Sequence, residues 1–257
     1  MVRIDVYLVA EGYAPSRTKA QQLIESGAVT VNGRTVKKAS EEVSEDGSTT
    51  VEVSDSQATR YVSRGGLKLE AALAQFHIDV TDGVFVDVGA STGGFTDCLL
   101  QHGAARVFCI DSGRDQLASA LRADPRVCVS EQTNARFLTA DDLIRLDGGV
   151  TEGFDGHVDG AVMDVSFISQ TLLFPMLSCV VREGGILVSL IKPQFEVGRQ
   201  ALNKHGVVRR DSDRRLAVEK VRETAEASGF TCIGVIPSPI QGGDGNMEYV
   251  GYFVKRG

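Results

Sequence analysis

Tryptophan is absent from this sequence, and proline is scarce, at 6 of 257 residues. No apolar run approaches the roughly 20 residues that a membrane-spanning helix needs. The opening stretch MVRIDVYLVAEG carries acids where a secretory signal would be uniformly apolar. An interfacial anchor would draw on an amphipathic basic-aromatic helix, and none is written here. These absences predict a cytoplasmic chain with no membrane contact. The five cysteines, at 98, 109, 128, 179 and 232, are odd in number and form no C-x-x-C pair. That suits neither a disulfide framework nor a zinc cluster. They read as reduced core residues, and no metal site is expected.

What is present is an ordinary globular composition, 42% hydrophobic and 24% charged. The length allows one sizeable core and a small satellite domain. The net charge of −7 is unevenly spread. Residues 1–38 hold six Lys/Arg against three acids, and residues 204–222 hold seven against three. Two basic segments on an acidic body suit a localised phosphate-binding surface; solvated helix faces are the alternative.

SRTKAQQLIESG (16–27) predicts a helix with Ser16 as N-cap and Gly27 as its stop. A shorter helix is expected over 3–11, and Asn32-Gly33 within VTVNGRTV predicts a hairpin. EEVSEDGSTT and SDSQATR then turn polar, as a domain edge and linker would. The expected division is a small α+β domain over 1–58, a linker over 59–64 and a large domain over 65–257.

From there strands and helices alternate. Helices are expected over 66–76, 94–103, 115–124, 141–146, 168–181 and 211–228. Strands are expected over 84–89, 106–111, 126–130, 160–165 and 184–192, with FTCIGVIPS and MEYVGYFVK as a closing antiparallel hairpin at the end of the sheet. This pattern predicts an α/β, doubly wound, mostly parallel seven-stranded sheet, with ligands bound outside the carboxyl ends of its strands.

VDVGASTGGFTD (86–97) is a glycine-rich turn between a strand and a helix, where backbone passes close to a ligand. Ser91 stands at the second glycine of the G-x-G-x-x-G dinucleotide fingerprint, which counts against NAD and FAD. The spacing fits the first motif of S-adenosylmethionine-dependent methyltransferases; a purely structural tight turn is the alternative. Asp111, in FCIDSG, ends the next strand where an acid can accept bonds from a ribose diol, and Asn134 follows the third where an adenine-reading side chain would sit.

The apolar run of LVSLIKPQFEVG ends on Lys192, and a strand buried on both faces is an expensive place for an unpaired charge. Asp164 ends the fourth strand. Glu248 begins the last, and if that strand runs antiparallel its start lies on the same edge. Lys68, on the helix before the first strand, can overhang that edge. A surface charge and a helix cap are ordinary readings of Lys68 and Asp164 singly; four such groups at one edge form a candidate site.

Several chemistries lack their residues. Exocyclic amine methylation usually goes with Asn/Asp-Pro-Pro-aromatic where this chain has Asp-Val-Ser-Phe, and cytosine carbon methylation needs a cysteine that Cys179, in mid-helix, does not supply. A ribose hydroxyl needs only a base, and a lysine beside other cations is a candidate.

Residues 3–38, with R-x-D, SRxxAxxLI, GxVxVNG and Lys37-Lys38, resemble the αL-type RNA-binding domain first described in the fourth protein of the small ribosomal subunit. TRYVSRGGLKLEAAL, DVGASTGGFTD, TNAR, DVSFIS, IKPQFEVG and GNMEYVGYF resemble, in order and spacing, the TlyA or hemolysin A family of ribosomal RNA 2′-O-methyltransferases. The resemblance implies a Rossmann-like methyltransferase fold and methyl transfer to a ribose 2′-hydroxyl, of cytidine, in ribosomal RNA or ribosomal subunits. It implies a catalytic tetrad of Lys68, Asp164, Lys192 and Glu248. It implies S-adenosylmethionine contacts from Gly89, Ala90, Ser91, Thr92, Gly93, Gly94, Phe95, Asp111, Asn134 and Asp164. RNA contacts are implied for Arg3, Ser16, Arg17, Lys19, Asn32, Lys37, Lys38 and Arg64. The family name also carries a membrane-active hemolysin as an alternative, and an RNA-binding protein with an inactive methyltransferase fold is a third.

Overall fold

The computed structural model describes residues 1–14, 16–25, 27–44, 49–53, 60–242 and 245–257. Its contacts divide the chain into two compact units, Met1–Arg64 and Gly65–Gly257. The domain end expected at residue 58 and the start of the linker at 59 lie outside the described residues.

The first unit runs β1 (Val2–Arg3), α1 (Ile4–Ala10), α2 (Arg17–Glu25), β2 (Val29–Val31), β3 (Arg34–Thr35), β4 (Glu42–Val43) and β5 (Val51–Val53). Ser16 Oγ accepts the Lys19 N–H at 3.3 Å, as an N-cap does. Asn32 and Gly33 both take positive φ, 49° and 76°, the pair of left-handed residues that a two-residue hairpin requires. β4 lies in the first polar stretch and β5 between the two, both inside the domain expected over 1–58. Each is held by backbone pairing, to β1 and β2, and by one buried valine, Val43 or Val51. Two or three residues are too short for a period of two to be read. Ile4, Leu8, Leu23, Ile24, Val29 and Val36 join those valines in one core.

The second unit begins with α3 (Gly65–Phe76), β6 (Val84–Val88), α4 (Gly94–Gln101), β7 (Arg106–Ile110), α5 (Ser119–Arg122), β8 (Val127–Ser130), α6 (Ala140–Asp147) and β9 (Val158–Met163). It continues with α7 (Phe174–Val180), β10 (Val181–Ile191), α8 (Pro193–Glu196), α9 (Asp211–Ala227), β11 (Phe230–Pro237) and β12 (Tyr249–Lys255). The seven strands form one sheet in the order β11-β12-β10-β9-β6-β7-β8. β12 is antiparallel to both of its neighbours, and the pairings from β10 to β8 are parallel. The closing pair is the antiparallel hairpin expected at the end of the sheet, with β12 against β10 and β11 at the edge. Every residue of β7 is buried, as in a sheet covered on both faces.

Two expected helices are shorter. Of 115–124 only Ser119–Arg122 is helical, because the Glu131 carboxylate captures the N–H groups of Asp115, Gln116 and Leu117 at 2.7, 2.9 and 3.1 Å. Residues 168–181 break into a 3₁₀ turn (Gln170–Leu172) and α7, whose first turn holds Pro175, the one place in a helix where proline displaces no bond.

Candidate active site

The chain order reverses beside β6, which has β7 on one side and β9 on the other. At this switch point the strand ends splay and leave a crevice. A cavity of about 590 Å³ occupies it, lined from the ends of β6 (Val88, Gly89), β7 (Ile110, Asp111) and β9 (Asp164, Val165), and from Thr133 and Asn134 after β8. That is the size of a small-molecule cofactor site.

Gly89 joins two walls of this cavity. Its φ is 82°, and a Cβ there would stand 2.7 Å from the Asp164 carbonyl oxygen, so only glycine lets the turn after β6 lie against the Asp164 backbone. Asp111 accepts Ser91 N–H at 2.7 Å and Gly113 N–H at 2.6 Å, one on each carboxylate oxygen. A carboxylate has about four lone-pair positions, so two remain for a ligand diol. Asn134 lines the cavity and caps the following turn through Arg136 N–H at 3.1 Å. Ser91 lines it too; Ala90, Thr92, Gly93, Gly94 and Phe95 do not. Gly93 backs onto Leu117 and Leu121, and Phe95 is a core residue.

Strand register brings the four charged groups to one edge. Ile191 pairs with Tyr249, so Lys192 and Glu248 follow as the next cross-strand neighbours; Ser189 pairs with Met163, which places Asp164 on the adjacent strand. Lys192 Nζ lies 2.6 Å from Asp164 Oδ1 and donates to Ser166 Oγ at 2.8 Å. Asp164 Oδ1 has no aligned hydrogen-bond partner, so its contact with Lys192 is a close ion pair with an oblique angle. Coulomb attraction does not depend on that angle, and the distance governs. Lys68 Nζ donates to Glu248 Oε2 at 2.6 Å, a buried pair formed across 180 residues. The cavity-edge acid and both lysines thus have the partners that burial demands.

Sequence reasoning passed over three residues here. Asp87, on β6 beneath the glycine-rich turn, is fully buried; Oδ2 accepts Thr96 N–H at 3.0 Å and Thr96 Oγ–H at 2.6 Å, while Oδ1 has no partner among the described residues. Burial pushes its carboxyl up to about 7, opposed by the Thr96 bonds and reinforced by the Asp164 charge. Ser166 is bonded to Lys192. Phe167 lines the cavity, is 92% exposed, takes φ of 65° and meets the Phe195 ring at 5.4 Å. An exposed aromatic in a strained conformation on a cavity lip has a free face that a planar ligand can stack on. The two segments carrying these rings are tied together by Glu196, which accepts Ser169 Oγ–H at 2.5 Å and Gln170 N–H at 2.8 Å.

In the first unit, the cations expected to contact RNA fall into two sets. Arg3 and Arg17 are bound to the buried Asp5 at 3.0 and 2.9 Å. Lys19 Nζ donates to the Tyr61 carbonyl. Asn32 uses its side chain on Thr50 N–H at 2.9 Å. Lys37, Lys38 and Arg64 are exposed.

A Rossmann-like sheet with a reversed last strand and a nucleoside-sized cavity at its switch point defines a methyltransferase fold. The chain belongs to the FtsJ-like methyltransferase family, whose model matches residues 61–255, and an S4 domain model matches residues 2–47. It is 44% identical to the 16S/23S rRNA (cytidine-2′-O)-methyltransferase TlyA of Mycobacterium tuberculosis, over 96% of this chain and 87% of that one. It is 38% identical to Hemolysin A of Brachyspira hyodysenteriae, over 98% of this chain and 100% of that one. The solved structure of a candidate hemolysin from Streptococcus thermophilus, 40% identical, superposes with a TM-score of 0.75 over 99% of this chain and 88% of that one. Among the described residues no helix is long and apolar enough to cross a membrane. The methyl donor of such a fold, S-adenosylmethionine, suits the donor set present: Asp111 for a ribose diol, Asn134 for a base edge and Gly89 for close backbone passage.

Proposed function

We propose that this chain transfers a methyl group from S-adenosylmethionine to a ribose 2′-hydroxyl of ribosomal RNA, at a cytidine, in the cytoplasm. The observation that carries the reading is Lys192, 12% exposed at the cavity edge, fixed between Asp164 and Ser166. S-adenosylmethionine, when bound, supplies an electrophilic methyl group on a sulfonium. Asp111 and Asn134 hold its nucleoside end. Lys192, in its neutral form, accepts the 2′-hydroxyl proton, and Asp164 and Ser166 keep the amine aimed. Lys68 and Glu248 neutralise each other at the same edge, so the ribose meets two paired charges and no stray one. Phe167 offers its face to the target base. The rest is positioning of the hydroxyl for in-line attack. The name of the M. tuberculosis relative supports the RNA and the cytidine, and the S4 domain supports an RNA partner.

Replacing Lys192 tests the assignment. Lys192→Ala should lower single-turnover methyl transfer to ribosomal RNA by about 10²- to 10⁴-fold, with calorimetric S-adenosylmethionine affinity nearly unchanged. Lys192→Arg should not rescue, because a guanidinium stays protonated. Near wild-type transfer by the arginine variant would leave Lys192 as a structural ion-pair partner only.

A further inference from the structure

The second unit is acidic, with 25 Asp/Glu against 19 Lys/Arg, and its arginines are mostly consumed in ion pairs. Arg122 meets Glu131 at 2.8 Å, Arg126 meets Asp124 at 2.8 Å and Arg182 is paired with Asp159. Residues 199–210, RQALNKHGVVRR, break this rule: four cations and no acid. Arg199, Lys204 and Arg209 are exposed and have no carboxylate partner among the described residues; Arg210 alone is paired, to Asp213 at 2.8 Å. Like charges gathered without counter-charges repel one another, so nothing in the fold asks for this cluster.

The segment is nonetheless built with care. An antiparallel bridge between Leu202 and Val208 closes it into an arm. At its tip Asn203 Oδ1 accepts the N–H groups of His205 and Val207 at 2.8 and 2.9 Å. Two side chains pin the arm to the body. Asn246, 1% exposed, accepts Val208 N–H at 3.0 Å and donates to the Gly206 carbonyl at 3.2 Å, while Arg214 donates to the Val208 carbonyl at 2.7 Å. Asn246 stands two residues before Glu248, and the arm begins seven residues after Lys192. One chain connection of the arm and one of its two pins therefore lead to the charged edge of the cleft, while its other end enters α9.

We propose that residues 199–210 form a phosphate-gripping arm of the methyltransferase unit, seating the RNA backbone beside the nucleotide whose ribose enters the cleft. This rests on the RNA methyltransferase reading and deepens it. Charge complementarity points to a polyanion, and the composition of the tip selects RNA over an anionic membrane. The tip, NKHG, offers no apolar side chain to insert, whereas a surface that binds lipid pairs its cations with exposed aromatic or aliphatic groups. A rigid turn loses little entropy when it orders against a backbone, which is why Asn203 and Asn246 matter as much as the charges.

The test uses the full chain carrying Lys204→Glu with Arg209→Glu, and separately Asn246→Ala, which keeps every charge but unpins the arm. For the double variant we expect the KM for ribosomal RNA to rise about tenfold, and the slope of log affinity against log salt to shrink by about 2, one per lost phosphate contact. Asn246→Ala should raise KM in the same direction with its salt slope preserved. S-adenosylmethionine affinity should not move in either. Wild-type methyl transfer together with an unchanged KM and salt slope in the double variant would overturn the arm and leave the methyltransferase reading standing. A wild-type chain that neither binds nor methylates ribosomal RNA would overturn both. If the double variant keeps its RNA affinity but loses binding to phosphatidylserine vesicles that the wild type has, the surface belongs to a membrane and the proposal falls.

Discussion

Asp87 sits in an environment at odds with a carboxylate's chemistry. Its carboxyl is buried, raised to about 7, and half unsatisfied. The folded value lies above the unfolded one, near 4, so the native state binds this proton more tightly than the unfolded chain. That contribution is fully present below pH 4 and is lost as pH rises through 7; three units amount to roughly 4 kcal/mol. Asp87→Asn should keep the acceptor for Thr96, offer its amide where Oδ1 is unpartnered, and remove the loss. Urea unfolding at pH 5 and pH 8 checks this: the wild type should weaken between the two, and the asparagine variant should weaken less. The Lys192–Asp164 pair at the cleft edge is the opposite case, two charges made tolerable by each other.

At the scale of elements, α1 and α2 are joined by a carboxylate rather than by apolar contact alone. Asp5, with 0% exposure, receives Arg3, Arg17 and Gln21, the last at 3.1 Å. These bonds, Arg3's first, hold its carboxyl well below the usual range. A depressed folded value gives stability that is present above the unfolded value, near 4, and lost as pH falls through the folded one. Because both arginines are about half exposed, solvent screens their share, and the buried oxygens dominate the loss. Asp5→Asn should destabilise the first unit by about 1–3 kcal/mol at pH 7, read as faster hydrogen exchange in α1 and α2. The gap from the wild type should narrow below pH 4. The same arrangement holds Arg3 and Arg17 in place through Nη2 while about half of each side chain stays exposed, so a structural ion pair and an RNA contact can share one side chain.

Across the whole molecule, a net charge of −7 would oppose RNA if it were smeared evenly. It is not. Lys37 and Lys38 are exposed, and among the described residues neither ammonium has a carboxylate partner; Glu41 accepts only their backbone N–H groups, at 2.9 and 3.1 Å. Such cations release counterions when they meet phosphates, and the affinity they provide falls with salt. Lys37→Ala with Lys38→Ala should weaken ribosomal RNA binding, reduce its salt slope by about 2, and leave S-adenosylmethionine affinity untouched. An unchanged slope in a filter-binding titration would remove both lysines from the interface.

Much of this protein is determined by short-range pattern. The alternation of apolar runs with 3.6-period stretches specifies a parallel sheet, Asn32-Gly33 specifies a hairpin, and the charges that end apolar runs mark Asp164 and Lys192 as edge residues. These are legible because each depends on a few neighbouring residues. Other features exist only once strands are in register. The Lys68–Glu248 pair spans 180 residues, and it depends on β12 pairing antiparallel with β10, which puts its first residues at the same edge as the ends of the parallel strands. Whether the Asp87 carboxyl is wet or dry depends on what the sheet stacks upon it, and Phe167 reads as one more aromatic until the turn after β9 forces it into φ of 65° and out to solvent. The length of the 115–124 helix was settled by Glu131, a side chain on the far side of a strand that captures three backbone donors. Local propensity cannot see such partners, because burial and ion pairing depend on distances that only the assembled fold defines.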